Sequence, residues 1–521
     1  MKKICLAALA LAVVMPALAQ ETYENAKIAT EDLNGTARYV GMGGAMEALG
    51  ADISTIGTNP AGIAMFRKSN FSFSFGTNTQ QDAPDFTGAN KTRMSFDQLG
   101  FVYSTRTGVS SFINYAFNYH KSRNFDYILS AADRLQGASQ NKLTYAKAKN
   151  GLLFETYKDS HGDVYPNPDK SYPSCSQLDY MYADYNNYVA AENTWYYDEA
   201  SDYLLNRNHK GYVGEYDFNI SGNLDNRLYL GLTIGISDVN YKHYGEYSEL
   251  LTDGSAMHVG DDREIEGTGV NLKLGAIFRP VETSPFRIGV SVATPTWYDL
   301  TTSNTTTVTR TGANAFSTSN SESYDFKLYT PWKFGLSLGH TIGQSLALGA
   351  SYEYADYGNL DTRYITGSYR DWYGDYYDES ESDEEMNRHT EQTLKGVSTL
   401  KLGMEFKPVP ELAVRLGYNY VMPMYNDYGF KDGSLQSEGS YYSSATDYTN
   451  WKATNRITCG LGYNVGNLNL AVAYQYSATK GEFSPFMNYT DNETAADDNY
   501  ADIVKVDNKR HQLLFTVGYT F

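Results

Sequence analysis

From Phe71 to the end of the chain, stretch after stretch alternates apolar with polar residues. The clearest run is Leu228 to Ser237. There Leu228, Leu230, Leu232, Ile234 and Ile236 alternate with Tyr229, Gly231, Thr233 and Gly235. Successive side chains of a strand point to opposite faces, so such a run has one apolar and one polar face. The same pattern predicts strands at 71–79, 99–105, 110–119, 212–221, 228–237, 270–278, 286–293, 324–339, 346–354, 397–406, 412–420, 457–465, 468–476 and 512–521. That is about fourteen segments, each near the length a tilted membrane strand needs. Pro331, inside the eighth, predicts a bulge or kink, because proline cannot donate to the ladder.

The connections sort by length. Those after odd strands are long: 80–98, 121–211, 239–267, 295–323, 355–396, 421–456 and 477–511. Those after even strands are short: 106–109, 223–227, 279–285, 340–345, 407–411 and 466–467. A soluble sandwich has no reason to sort its loops. A closed barrel with short periplasmic turns and long external loops does. An even strand count also returns both termini to the short-turn side. The 47 Tyr and 23 Phe suffice for two interfacial girdles. Tyr119, Tyr352, Tyr354, Tyr418, Tyr420, Tyr474 and Tyr476 are expected at the outer one, Tyr519 and Phe521 at the inner. Mean hydropathy is −0.48, which does not argue against a barrel, whose alternating strands leave little hydropathy trace.

Met1 to Ala19 reads as a cleaved secretory signal, with Lys2 and Lys3, an apolar run from Ile4 to Met15, and Ala17-Leu18-Ala19 before Gln20. The apolar run is too short to span a bilayer. Cys5 lies within it. Cys175 and Cys459 alone do not make a disulfide framework. The net charge of −19 disfavours nucleic acid as a partner. The acid concentrates in stretches such as Asp371 to Glu385, read as a solvated, self-repelling loop.

Residues 34–66 break the pattern. They are rich in small residues and show no alternation. Two helical pieces are expected, Ala45 to Leu49 and one beginning at Asn59-Pro60-Ala61-Gly62, where Asn serves as N-cap and Pro suits the first helical position. Gly41-Met42-Gly43-Gly44-Ala45 followed by Asn59-Pro60-Ala61-Gly62 resembles the N-terminal hatch of the FadL/TodX family, outer-membrane transporters of long-chain fatty acids and other hydrophobic compounds. The resemblance implies an all-β fold: a transmembrane antiparallel β-barrel of about fourteen strands, plugged by an N-terminal hatch. The resulting division is a signal peptide at 1–19, a hatch at 20–68 and an outer-membrane barrel at 69–521. It also implies passive transport of a fatty-acid-like or other hydrophobic small molecule, gated by the hatch, in a monomer among outer-membrane lipid and lipopolysaccharide. Lateral exit through a kinked third strand belongs to the same resemblance, but Ser110 to Tyr119 contains neither Gly nor Pro to mark a kink. A closing Phe after an alternating strand resembles a barrel-assembly signal.

Gly41, Gly43 and Gly44 are assigned the role of letting the hatch turn and pack closely. Asn59, Pro60 and Ala61 are expected to hold the short helix against the wall. A purely structural plug is the alternative for all six. The polar faces should point inward with charges of both signs: Glu215, Asp217, Lys273, Arg287, Lys333, Glu353, Lys401, Glu405 and Arg415. About fourteen strands enclose more space than side chains fill, so the lumen must be a pore or hold a plug. Mixed charge favours ties to a plug over a single-sign selectivity ring.

No enzyme is indicated. Gly335-Leu336-Ser337-Leu338-Gly339 matches a nucleophile elbow but sits in an alternating strand rather than a strand–turn–helix. The scattered histidines give no spaced metal or haem ligand pair, and no cofactor is expected. The alternative function is a barrel of the same kind serving as a secretion-system shuttle or surface adhesin, with residues 121–210 as the partner surface.

Overall fold

A computed structural model describes residues 21–521, except 87, 163, 184–187, 190–193, 371, 373–375, 438–440 and 492–493. The expected signal at 1–19 lies outside the described residues. Fourteen antiparallel strands close into a barrel. They are β1 (Asn70–Gln80), β2 (Thr92–Arg106), β3 (Phe112–Asn124), β4 (Ala200–Leu224), β5 (Leu228–Leu251), β6 (Ala256–Phe278), β7 (Arg287–Ala293), β8 (Lys333–Ile342), β9 (Leu346–Asp356), β10 (Gly396–Val409), β11 (Leu412–Val421), β12 (Tyr448–Val465), β13 (Leu468–Ser484) and β14 (Val504–Thr520). Each pairs with the next, and β14 returns to β1 from Asn70↔Thr520 to Gln80↔Arg510. Closure leaves no sheet edge facing lipid, the condition for a strand structure to cross a bilayer.

The two faces differ as the alternation requires. Leu230 and Ile234 are each 44% exposed, whereas Thr233, facing the lumen, is fully buried. Outward Leu272, Leu274, Leu336, Leu338, Leu402, Leu416, Leu470 and Val517 continue the apolar belt. At the long-loop end the tyrosine hydroxyls reach polar partners on the next strand. Tyr352 meets Ser398 at 2.8 Å, Tyr418 donates to Asn455 at 2.7 Å, and Tyr474 meets His511 at 2.7 Å. A ring in lipid with a satisfied hydroxyl suits an interface. At the other end Asp225 and Asn226, with φ of 50° and 54°, make the tight β4–β5 hairpin, whose twist requires left-handed central residues.

The sequence reading is corrected in several places. The expected strand 324–339 is two elements. The chain breaks at Pro331: Lys333–Ile342 is the barrel strand, and Phe316–Tyr329 belongs to a hairpin above it. The expected long connection 239–267 is a ladder, running from Val239↔Gly267 to Leu250↔Ala256. Trp297–Thr311, Phe316–Tyr329, Asp361–Arg370, Tyr376–Ser382 and Tyr127–Arg134 widen this upper sheet. The acidic loop 371–385 is in part ordered, as the strand Tyr376–Ser382 and the start of a helix at Glu384–Thr393; 371 and 373–375 lie outside the described residues. Finally, the two ends of the described chain do not share a side. Phe521 sits by Ser69 at the short-turn end, while Thr22 contacts His389 and Thr390 at the long-loop end.

Between these ends, residues 21–66 run down the lumen. Helix α1 (Thr22–Ala29) lies uppermost, and α2 (Ala37–Gly41) is capped by Thr36, whose hydroxyl accepts from Tyr39 N–H at 3.1 Å. Two 3₁₀ turns follow at Ile53–Gly57 and Pro60–Met65. The helix expected at Ala45–Leu49 is instead a series of turns. Above the membrane belt, α3 (Gln140–Lys149) and α4 (Gln177–Tyr182) join the upper strands in a packed roof around Leu143, Met181, Tyr182, Tyr247, Phe483 and Phe486.

Candidate functional site

The plug lies on glycine. Gly339, Gly349, Gly403 and Gly417 are direct cross-strand partners on β8, β9, β10 and β11, and all face the plug. A methyl group on Gly349 would stand 1.9 Å from Ala45 O, on Gly403 2.3 Å from Met42 O, and on Gly417 2.2 Å from Gly43 N. The plug contributes its own small residues. Gly43 and Gly44 hold φ of 64° and 82°, a region glycine enters without strain. A side chain on Gly43 would strike Tyr418 N at 2.8 Å, and one on Gly41 would meet Gly460 Cα at 3.3 Å. Plug and wall therefore touch backbone to backbone.

A second glycine seat receives the Asn-Pro-Ala turn. Gly231 and Gly275 pair across β5 and β6. Their absent methyls would lie 2.4 Å from Pro60 C and 2.1 Å from Asn59 Oδ1. Asn59 is fully buried. Its Oδ1 accepts from Ala61 N–H at 3.1 Å, and its Nδ2 donates to Val290 O at 3.4 Å. On the outside of these strands, Ile113, Ile220, Leu230, Leu274 and Val290 border an open apolar groove of about 700 Å³. All six hatch residues singled out in the sequence thus lie at the plug–wall boundary.

The inward charges tie the plug down. Lys401 pairs with Glu47 at 2.9 Å, and Glu405 bridges Arg38 at 3.0 Å and Arg415 at 2.7 Å. Arg287 donates to Leu49 O at 2.9 Å, and Lys333 pairs with Glu31. Asp32 accepts from Arg123 at 3.1 Å and Arg456 at 3.2 Å. Lys401, Glu47, Glu405 and Arg415 are buried, and such ions persist because each has its partner; removing one strands the other.

Above the plug is a chamber of about 230 Å³ between α1 and the upper wall. Its apolar lining includes Tyr23, Tyr127, Leu129, Met422, Met424, Tyr425, Tyr448 and Trp451. Tyr23 stacks on Tyr425 with ring centroids 5.1 Å apart. Its polar lining includes Asp32, Arg123, Arg456 and Arg510. A lower chamber of about 120 Å³ shares Thr30–Asn34, Met422, Met424 and Arg456 with the upper one. The segment 30–34 is the partition between them.

No family model and no curated protein matches this chain. Similar solved structures exist. The Ralstonia pickettii toluene transporter TbuX is 11% identical with a TM-score of 0.47, over 94% of this chain and 99% of that one. A Pseudomonas aeruginosa FadL homologue is 11% identical with a TM-score of 0.49, over 95% of this chain and all of that one (100%). The Pseudomonas putida toluene transporter TodX is 11% identical with a TM-score of 0.47, over 94% and 99%.

The barrel wall is continuous at the third strand. β3 pairs with β2 from Gln98↔His120 to Arg106↔Phe112, and with β4 from Phe112↔Asn223 to Asn124↔Tyr212 with one bulge. Within Ser110 to Tyr119 the register runs without a shift, and the one irregularity of this strand falls beyond it, between Lys121 and Arg123. The structure also assembles what sequence spacing did not reveal. His120, Glu215 and Asp217 bring possible metal-ligand atoms within 4.8 Å of one another. Lys273 already stands 2.7 Å from Glu215 and 3.0 Å from Asp217, so an ammonium fills the cation's place. These residues come from β3, β4 and β6, and the Arg123–Arg456–Arg510 group from β3, β12 and β14. Neither has a sequence spacing that could have marked it.

Proposed function

We propose that this protein is an outer-membrane channel for hydrophobic small molecules, fatty-acid-like ones above all, gated by its own N-terminal segment. The observation that carries the reading is the plugged lumen with an aromatic- and methionine-lined chamber directly above it on the long-loop side. The lipid-facing belt and sorted connections support the outer membrane, and residues 1–19 fit an export signal. A solute enters between the long loops and settles in the upper chamber. Residues 30–66 then shift on their glycine seats to open a path. Gly41, Gly43 and Gly44 permit that shift, since no side chain interlocks with the wall. Asn59, Pro60 and Ala61 act as the anchored end. The protein works as a monomer within outer-leaflet lipid and lipopolysaccharide. The test is uptake of a radiolabelled fatty acid by cells carrying Asn59→Ala at normal barrel levels. The reading predicts altered uptake. Unchanged uptake would leave the hatch motif with a structural role only.

A further inference from the structure

The Asp32 carboxylate of the plug lies among several guanidinium groups of the wall. Its Oδ1 accepts from Arg123 Nη1 at 3.1 Å and Arg456 Nη2 at 3.2 Å, and its Oδ2 from Asn124 N–H at 3.1 Å. Arg510 donates to Asn124 O at 3.1 Å and lines the same chamber. Asp32 is the carboxylate hydrogen-bonded to both Arg123 and Arg456, with Arg510 close by, and the buried Arg123 Nε has no hydrogen-bond partner. Guanidinium groups bind any carboxylate of suitable approach, in the protein or in a ligand. Asp32 also sits where the upper chamber meets the partition, below Tyr127, Met424, Tyr425 and Trp451.

We propose that Asp32 is an internal stand-in for a ligand headgroup. The carboxylate of an incoming single-chain amphiphile, its tail in the upper chamber, takes Asp32's place on Arg123, Arg456 and Arg510. Displaced, the Asp32 carboxylate no longer ties segment 30–34 to the side chains of Arg123 and Arg456; only the backbone bond of Asp32 to Ser122 O and the Asn34 bond to Lys121 O still hold the segment to β3, and as it loosens the two chambers join. The exchange is one carboxylate for another, so it leaves the charge of the arginine site unchanged. It rests on the transport reading above and adds the coupling between ligand binding and plug release.

The test uses the full mature chain in lipid nanodiscs, with brominated decanoate and brominated decanol as probes. Quenching of Trp451 reports binding, with Trp451→Phe as the control for the other tryptophans. Asp32→Asn should tighten decanoate binding by about tenfold or more and leave decanol unchanged. Arg456→Gln should weaken decanoate by a similar factor and again leave decanol unchanged. In the unaltered protein, decanoate but not decanol should speed amide exchange at residues 30–34. Asp32→Glu, which keeps the charge, guards against a merely misfolded variant by retaining the original affinity. If Asp32→Asn binds decanoate no more tightly, or decanol follows decanoate through the variants, the exchange is overturned while the transport reading stands. If the unaltered protein binds neither probe, both are overturned.

Discussion

A methyl group is too large for the floor on which the plug lies. Gly349 and Gly403 approach plug carbonyl oxygens, not side chains that could swing aside. Gly403→Ala should therefore lift residues 42–45 and cost about 1–3 kcal/mol of plug seating. The check is faster amide exchange across residues 36–66 with strand content unchanged; unaltered exchange would mean that the seat is looser than the distances imply. Glu405 makes a different prediction. It pairs with both Arg38 from the plug and Arg415 from the wall. Glu405→Gln leaves the buried Arg415 and the half-buried Arg38 without this counter-ion and should cost about 3–5 kcal/mol. Proteolysis within residues 36–66 should become easier by the corresponding factor. The glycines of the plug were legible in the sequence as positions needing freedom. Their counterparts on the wall were not, because a glycine on the polar face of a strand looks like any small residue until the plug is laid against it.

Elements were legible where lipid enforces contrast. Along the lower part of β5, Leu230 to Ile236 face the belt, and the alternation is plain. Above Ser237 the outward residues are Asn240, Lys242, Tyr244, Glu246, Ser248 and Leu250, mostly polar, while Tyr241, His243, Tyr247 and Glu249 point inward. With mostly polar residues toward water and His and Glu mixed among the tyrosines inside, neither face is distinctly apolar, so the strand continues without its signature. That is why 239–267 read as a loop. The same upper region holds a pH-sensitive joint. Glu249 is 1% exposed and accepts from Gln140 N–H at 2.7 Å and Tyr247 O–H at 2.6 Å, fastening the start of α3 to β5. Burial pushes its carboxyl up to about 7. The folded protein then holds this proton more tightly than the unfolded chain does. The stabilisation is complete below the ordinary glutamate range and is lost as pH rises toward 7, on the order of 3 kcal/mol in all. Amide exchange in Gln140–Lys149, corrected for its intrinsic pH dependence, should quicken across that window. Glu249→Gln keeps an acceptor oxygen and adds N–H donors, and should remove the dependence. If it does not, another group sets it.

For the molecule as a whole, closure and loop sorting could be read from the chain, and so could a plug made of residues 34–66. The threading of that plug could not. Nothing local in Glu21 to Ala29 says that α1 climbs to the long-loop end, where Tyr23 donates to Asn450 at 2.8 Å and Lys431 pairs with Glu21 at 2.6 Å. Those partners lie hundreds of residues away and meet only once the barrel is closed. The resulting arrangement is a wide cylinder with the N-terminal segment in its lumen and a chamber of mixed aromatic and charged lining on the long-loop side of that segment. The most direct measurement is paired uptake in cells with and without the protein, using radiolabelled decanoate and a small neutral sugar. The account predicts that the protein raises decanoate uptake and leaves sugar uptake at the background level. Free passage of the sugar, or decanoate uptake no greater than in cells lacking the protein, would contradict it.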